Sequence, residues 1–244
     1  MSFEQQIKPC VLLIATRKYV QFIPDVVRQL DRFFMPNREI AVMIFSDQYC
    51  VPNTTARVDI VFQHIEELKW PYATLYRYKI FSRISEYLLK FSHLYYSDVD
   101  MGYVDTIGDE FLVDGLLAVK HPAFSSGGWG SPNNSQQSSS WFPEEKRKQY
   151  YCGGVQGGKS EVYLQACKKL ADRISQDEMN KVMAEWHDET HWNKYTNCDH
   201  PELVTALGPE YCMVEQMEFR KNWKIDHLKP KIIALAKNHE EIRQ

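Results

Sequence analysis

Tyr95-Tyr96-Ser97-Asp98-Val99-Asp100 places two carboxylates, one residue apart, directly after an apolar stretch with the character of a buried strand. Side chains alternate along a strand, so residues i and i+2 face the same way, and a pair at the strand's end presents both carboxylates at the sheet edge. Such a pair suits a hard divalent cation, Mn²⁺ or Mg²⁺, which can in turn hold a nucleotide diphosphate. An isolated D-x-D is more often a solvated acidic turn. The flanking sequence has to supply the context.

Upstream, Cys10-Val-Leu-Leu-Ile-Ala-Thr16 is a continuous apolar run of the kind buried on both faces of a sheet. Val26, Val27, Leu30, Phe33 and Phe34 then recur at helical spacing, and residues 40–45 and 58–62 read as further strands. Strand, helix, strand in this order implies right-handed crossovers and a parallel sheet. A helix over residues 74–89, with Leu75, Tyr78, Phe81, Ile84 and Leu88 as its apolar stripe and Thr74 as its cap, delivers the chain to the aspartate pair. In open α/β sheets ligands bind beyond the carboxyl ends of the strands, which is where the pair lies.

Downstream, the polar run from Ser131 to Ser140 has no hydrophobic period and predicts a long loop, a mobile lid or binding loop, rather than a linker between domains. Tyr150-Tyr-Cys-Gly-Gly-Val-Gln-Gly-Gly158 returns to strand; its glycines are wrongly spaced for a dinucleotide fingerprint or a P-loop and suggest close approach of a ligand to backbone. A helix from about Ser160 carries Val162, Ala166, Leu170 and Ile174 on one face. Further helices are expected over residues 177–186 and 191–195, and a closing strand over residues 231–235.

The 244 residues fit one α/β domain with a substantial core. A formal charge of −3 gives no basic field for nucleic acid. The six cysteines are scattered without a C-x-x-C pair, which fits reduced thiols better than a disulfide framework. The N-terminus carries Glu4 and no long apolar region, and no stretch approaches the ~20 apolar residues of a membrane span. A cytoplasmic location is expected, unless the chain was trimmed from a longer anchored one.

Trp186-His-Asp-Glu-Thr-His-Trp-Asn-Lys-Tyr195 concentrates functional groups. His187 and His191 stand at i and i+4, as in a zinc hydrolase, but the residue after the first histidine is Asp188 where that motif needs glutamate, and Glu189 comes one place too late. Ordinary packing of Trp186, Trp192 and Tyr195 is the other explanation.

Together these segments resemble glycosyltransferase family 6, which contains the histo-blood-group A and B transferases and the α-1,3-galactosyltransferases. The resemblance runs from about Val11 to Arg243 in the family's order: Ile14-Ala-Thr-Arg-Lys-Tyr19, Trp70, Arg77, Asp98-Val99-Asp100, His121-Pro122, Tyr150-Tyr151 with two Gly pairs, Trp186-His-Asp-Glu189 with Asn193-Lys-Tyr195, Pro209-Glu-Tyr211, and Lys237-Asn-His239 ending in Arg243.

The resemblance implies a GT-A fold: a Rossmann-like, mainly parallel sheet flanked by helices in a single domain spanning 1–244. Residues 1–100 would be its nucleotide-binding half, 101–230 its donor-sugar and acceptor half, and 231–244 a closing tail. It implies a hexosyltransferase that moves N-acetylgalactosamine or galactose from the UDP-sugar, with retention, to the 3-hydroxyl of a β-galactoside glycan, fucosylated forms included. Ile14, Ala15 and Tyr19 would hold uracil; Asp98, Val99 and Asp100 would bind the donor, with Mn²⁺, or Mg²⁺ in its place, on the two carboxylates. Lys237 and Arg243 would close over the diphosphate. Arg77 and Asp188 would steady the donor sugar, Cys152, Gly153 and Gly154 would lie near its C2, and the small residues there point to N-acetylgalactosamine. Glu189 would be the catalytic carboxylate on the opposite face of the sugar, nucleophile or ion stabiliser, and His121, Trp186 and Glu189 would meet the acceptor.

The chain also departs from the mammalian members. The Ser- and Asn-rich run replaces their Tyr-Glu-Arg-Arg segment, and Val214 with Glu215 stands where they place an acceptor-binding aspartate. With no anchor or stem in view, the resemblance is to a soluble bacterial or viral form. A glycan-binding relative that has lost catalysis is the rival expectation.

Overall fold

The apolar run starting at Cys10 forms β1 (Cys10–Ile14), every residue of which is buried, so both of its faces must be covered. The computed structural model describes residues 8–130 and 135–243; residues 1–7, on which the expectation of no leader falls, and residues 131–134 of the polar run lie outside them. Beside β1 lie β2 (Ile40–Ser46) and β4 (His93–Asp98), both parallel to it, with β3 (Val58–His64) outside β2. β5 (Met101–Tyr103) leaves the sheet after the aspartates; β6 (Leu116–Lys120), β7 (Tyr151–Lys159) and β8 (Val204–Leu207) complete it in the order β3-β2-β1-β4-β7-β6-β8. Within that order β7 pairs antiparallel with both its neighbours, and the other pairings are parallel.

Strand alternation divides the core in two. Val11, Leu13 and Ala15 pack with Ile23, Val26, Val27 and Leu30 of α1 (Ile23–Phe33) on one face. Leu12 and Ile14 pack on the other face, against the layer that holds Tyr78, Phe81, Leu170 and Ile174. The register sets Ile14 beside Asp98 at the carboxyl ends of β1 and β4, so the expected ligand edge exists.

Several expected elements take a different form. The helix expected over residues 74–89 is three pieces: α2 (Tyr72–Leu75), α3 (Arg77–Arg83) and α4 (Ser85–Leu88). Thr74 lies inside α2 and does not cap it; its hydroxyl donates to the Pro71 carbonyl at 2.8 Å. The Thr74 carbonyl accepts from the Arg77 side chain at 2.9 Å, a bond that takes the place of a continuing helical one. The next helix, α5 (Ser160–Met179), stops where Lys181 takes a left-handed φ of 57°, so no helix runs on to Trp186. α6 (His187–Lys194) begins earlier than expected, and α7 (Met217–Asn222) and α8 (His239–Ile242) follow in the last third. The closing strand, β10 (Ile232–Ala234), pairs with β5 and with β9 (Met213–Val214) in a separate three-stranded sheet.

In the polar run, Ser138 donates to Asp177 of α5 at 2.5 Å, and the Ser139 amide donates to the same carboxylate at 2.6 Å, so the described half is tied down rather than a free lid. The second glycine pair serves backbone packing, not a ligand: a Cβ on Gly157 would stand 2.2 Å from the Leu94 carbonyl oxygen, and Gly158 has a φ of 137°. No helix among the described residues is long and apolar enough to cross a membrane.

Candidate active site

β4 ends at Asp98, and Asp100 sits in the turn that follows, so the two carboxylates are offered by a strand end and a turn rather than by one strand. Both still reach one cavity of about 140 Å³, which Ile14, Tyr19, Lys237 and Arg243 also line. Ala15 is fully buried and its N–H donates to the Phe45 carbonyl at 2.9 Å. Val99 borders the cavity between the aspartates.

Arg77 organises the acidic side. Its side chain is 1 % exposed; one guanidinium nitrogen donates to the Gly153 carbonyl at 2.6 Å, and another lies 3.1 Å from Asp188 and 3.4 Å from Asp98. The guanidinium also covers the Tyr96 ring at 3.7 Å, and the Tyr96 hydroxyl donates to Asp98 at 2.5 Å. Burial opposes the Arg77 charge, but Asp188, Tyr96 and Asp98 outweigh it and hold the guanidinium protonated. Burial pushes the Asp188 carboxyl up, and Arg77 pulls it back.

Glu189 lies in the first turn of α6 with both oxygens engaged. Oε1 accepts from the Tyr150 hydroxyl at 2.6 Å and Oε2 from the Gly153 amide at 2.7 Å. Burial pushes its carboxyl up to about 7, against the pull of those two donors. Asn193 cross-links the same elements: its side-chain amide donates to the Tyr151 and Glu189 carbonyls and accepts from the Tyr151 N–H.

The first glycine pair has no room for side chains. A Cβ on Gly153 would stand 2.9 Å from Asp188 Oδ2, and one on Gly154 would stand 2.9 Å from Asp98 Oδ2 and 2.5 Å from the Met101 methyl. Cys152, beside them, is buried in the core cluster that includes Cys212 and Val155.

The remaining expected residues fall on two sides. Trp186, 51 % exposed, precedes α6 as an open ring. His121 is partly buried, with its ring 5.6 Å from that of Tyr150, and burial pushes its pKa down to about 4, so it is neutral at physiological pH. On the other side the C-terminal tail folds over the aspartates: the Lys237 ammonium stands against Asp100 Oδ2, and Arg243 covers Trp70 at 4.3 Å. Arg17 and Lys18 catch the tail by donating to the carbonyls of Arg243 and Glu241.

The histidine pair does not form a metal site. His187 enters α6 with a φ of 50°, outside helical conformation, so the i, i+4 spacing does not stack the two rings. Its ring packs on Trp70, while His191 is buried 3.6 Å from Asp177. Among the described residues no group of three or more His, Cys, Asp or Glu side chains could hold a metal ion by itself. Asp98 and Asp100 present two hard oxygen donors to one cavity, a set that fits a hard cation only if further ligands come from outside the protein. Val214 lies in β9, and neighbouring Glu215 is occupied by the Ala236 amide at 2.7 Å.

Sequence alone gave no role to Tyr96, Trp70 or Tyr150. Tyr96 had a signal, since residue i−2 shares the face of Asp98; the partners of the other two come from remote parts of the chain.

The chain is 28% identical over 239 residues to the histo-blood group ABO system transferase 2 of Rattus norvegicus, covering 95% of this chain and 70% of the relative. It is 27% identical over 222 residues to the human globoside alpha-1,3-N-acetylgalactosaminyltransferase 1, covering 82% and 59% respectively. It is 23% identical over 237 residues to the O-antigen biosynthesis glycosyltransferase WbnI of Escherichia coli, covering 88% and 92%. The profile of glycosyltransferase family 6 matches residues 2–244, and the chain belongs to that family.

Proposed function

We propose that the chain is a retaining α-1,3-glycosyltransferase that moves N-acetylgalactosamine, and galactose less well, from the UDP-sugar to the 3-hydroxyl of a β-galactoside. The observation that carries this reading is the convergence of Arg77, Asp98, Asp188 and Glu189 on Gly153 and Gly154, under a cationic tail.

Uracil would lie against Tyr19 at the end of β1, and the diphosphate between the aspartates and the Lys237 and Arg243 cations. Asp98 and Asp100 would hold Mn²⁺, which supplies neutralisation of the leaving diphosphate. Arg77, fixed by the Gly153 carbonyl, keeps Asp98 and Asp188 in place; Asp188 accepts donor-sugar hydroxyls. Glu189, opposite the leaving group, faces the anomeric carbon as its positive charge develops, and Trp186 and His121 present the acceptor. With Nδ1 accepting from the Ala123 N–H, a neutral His121 carries its proton on Nε2 and can donate one hydrogen bond to a sugar hydroxyl without adding charge.

A cavity of about 140 Å³ is smaller than the ~300–1,000 Å³ of typical ligand sites. The tail residues Lys237, Ile242 and Arg243 form part of its wall, so binding a nucleotide sugar calls for the tail to lift and close again.

Donor choice rests on the absent methyl at Gly154. Its crowding by Asp98 means that Gly154→Ala would disturb the aspartate as well as the sugar pocket, so wild-type kinetics are the cleaner test. UDP release from UDP-N-acetylgalactosamine and UDP-galactose, measured with Mn²⁺ across a panel of β-galactosides, should favour the former. A tenfold preference for UDP-galactose in kcat/KM, about 1.4 kcal/mol, would reverse the donor assignment. No release from either donor across the panel would point to the glycan-binding relative.

A further inference from the structure

Glu189 is held by a phenol that belongs to neither its helix nor its loop. We propose that Tyr150 is a positioning residue for Glu189, through which the Gly127–Gly130 loop sets where the catalytic carboxylate stands. The proposal rests on the reading of Glu189 given above.

A carboxylate on a two-carbon stem can rotate, and one hydrogen bond leaves that rotation free. The Gly153 amide on Oε2 and the Tyr150 hydroxyl on Oε1 grip the group from two directions. Asn193 is spent on backbone carbonyls, which fixes where α6 lies against β7 but leaves the Glu189 side chain to Tyr150 and Gly153.

The phenol is itself boxed in. Its ring meets His121 at 5.6 Å, Phe124 at 5.2 Å and Trp129 at 5.2 Å, the last at 90°. Gly130 closes the box: a Cβ there would stand 2.7 Å from Cζ, the ring carbon that bears the hydroxyl. Only glycine lets the ring sit where its hydroxyl reaches Glu189. Gly127 and Gly128, with φ of 116° and 90°, make the turn that brings Trp129 onto the ring. Packing alone would satisfy the ring, and any nearby acceptor would satisfy the hydroxyl; what singles out Tyr150 is that its acceptor is the carboxylate opposite the leaving group. The other titratable groups around that carboxyl are Asp188 beside it, Asp98 from β4, and Cys152 and Cys212 from the core, and none of them donates to it.

The test is Tyr150→Phe, which keeps the ring and removes the donor, with Gly130→Ala as a second variant that displaces the ring and leaves the hydroxyl. Both should lower kcat by about 10- to 100-fold, the scale of a small misplacement at the reacting centre, while the affinity for UDP stays within twofold of wild type. In a Glu189→Asp background, which shortens the carboxylate out of reach, Tyr150→Phe should have little further effect on kcat. If Glu189→Gln keeps wild-type turnover, the reading of Glu189 fails and the proposal with it. If Glu189→Gln abolishes turnover while Tyr150→Phe and Gly130→Ala keep kcat within twofold, Glu189 stands and the positioning role is wrong. A loss in kcat that persists undiminished in the Glu189→Asp background would also overturn it.

Discussion

The molecule carries two acidic pairs, and they are built differently. Asp98 and Asp100 stand on a strand end and a turn, border an open cavity, and meet cations from a tail more than a hundred residues away. Asp188 and Glu189 stand at the start of a helix, largely enclosed, and are gripped by a guanidinium, a phenol and a backbone amide that belong to the folded core. In the first pair Asp98 is held by Arg77 and Tyr96, but Asp100 is balanced by a lysine of the C-terminal tail that also walls the cavity, an arrangement that suits binding and release of a charged donor. The second is balanced by fixed groups, and suits a reaction in which charge appears at one defined point. Arg77 joins the two, with one hand on each pair.

If the first pair is a cation site, Asp100→Asn should lower turnover by about 100-fold and weaken metal binding, because a neutral amide replaces a charged oxygen donor. Full activity of the wild-type protein in excess EDTA would remove the metal from the account. A weaker effect is expected from the tail. Truncation before Lys237 should cost about tenfold in kcat/KM and should raise donor hydrolysis relative to transfer, since the closing wall excludes water. Unchanged kinetics would mean that the tail is a bystander.

The smallest effect distinguishes the second pair by stability. The Glu189 carboxyl is raised from 4.5 to about 7 in the folded protein, so the fold prefers it neutral. That contribution is complete below about pH 4.5 and is lost as the pH rises through 7. Glu189→Gln is neutral at every pH. Urea unfolding should therefore show wild type losing stability relative to Glu189→Gln between pH 5 and pH 8, by on the order of 2 kcal/mol. A difference that does not change with pH would show that the fold does not disfavour the charged carboxylate.

How much of this could be read in advance follows the same division. The Asp98 end was legible because strand alternation and the carboxyl-edge rule are local: β1, β2, β3 and β4 fall within a residue or two of their expected places, and the ligand edge follows from them. The helix leading to it was not legible in detail, because the Arg77 side chain takes the Thr74 carbonyl only in the context of its tertiary partners Gly153, Asp98 and Asp188. Around Glu189 the motif was visible but its support was not. Tyr150 lies 39 residues away in sequence, and no period or spacing announces a phenol whose acceptor is supplied by another element. The polar run was legible as a loop, but its tether was not, since nothing in a serine-rich stretch announces that Asp177 of α5 will be brought against it.

In the proposed function Glu189 faces the sugar from the side opposite the departing UDP, so that transfer would keep the donor's configuration. Proton NMR of the first-formed product from UDP-N-acetylgalactosamine and a β-galactoside tests it directly. With Glu189 on that side, the first product carries an α-linked sugar on the 3-hydroxyl, seen by the small coupling of its anomeric proton. A β-linked first product would contradict it.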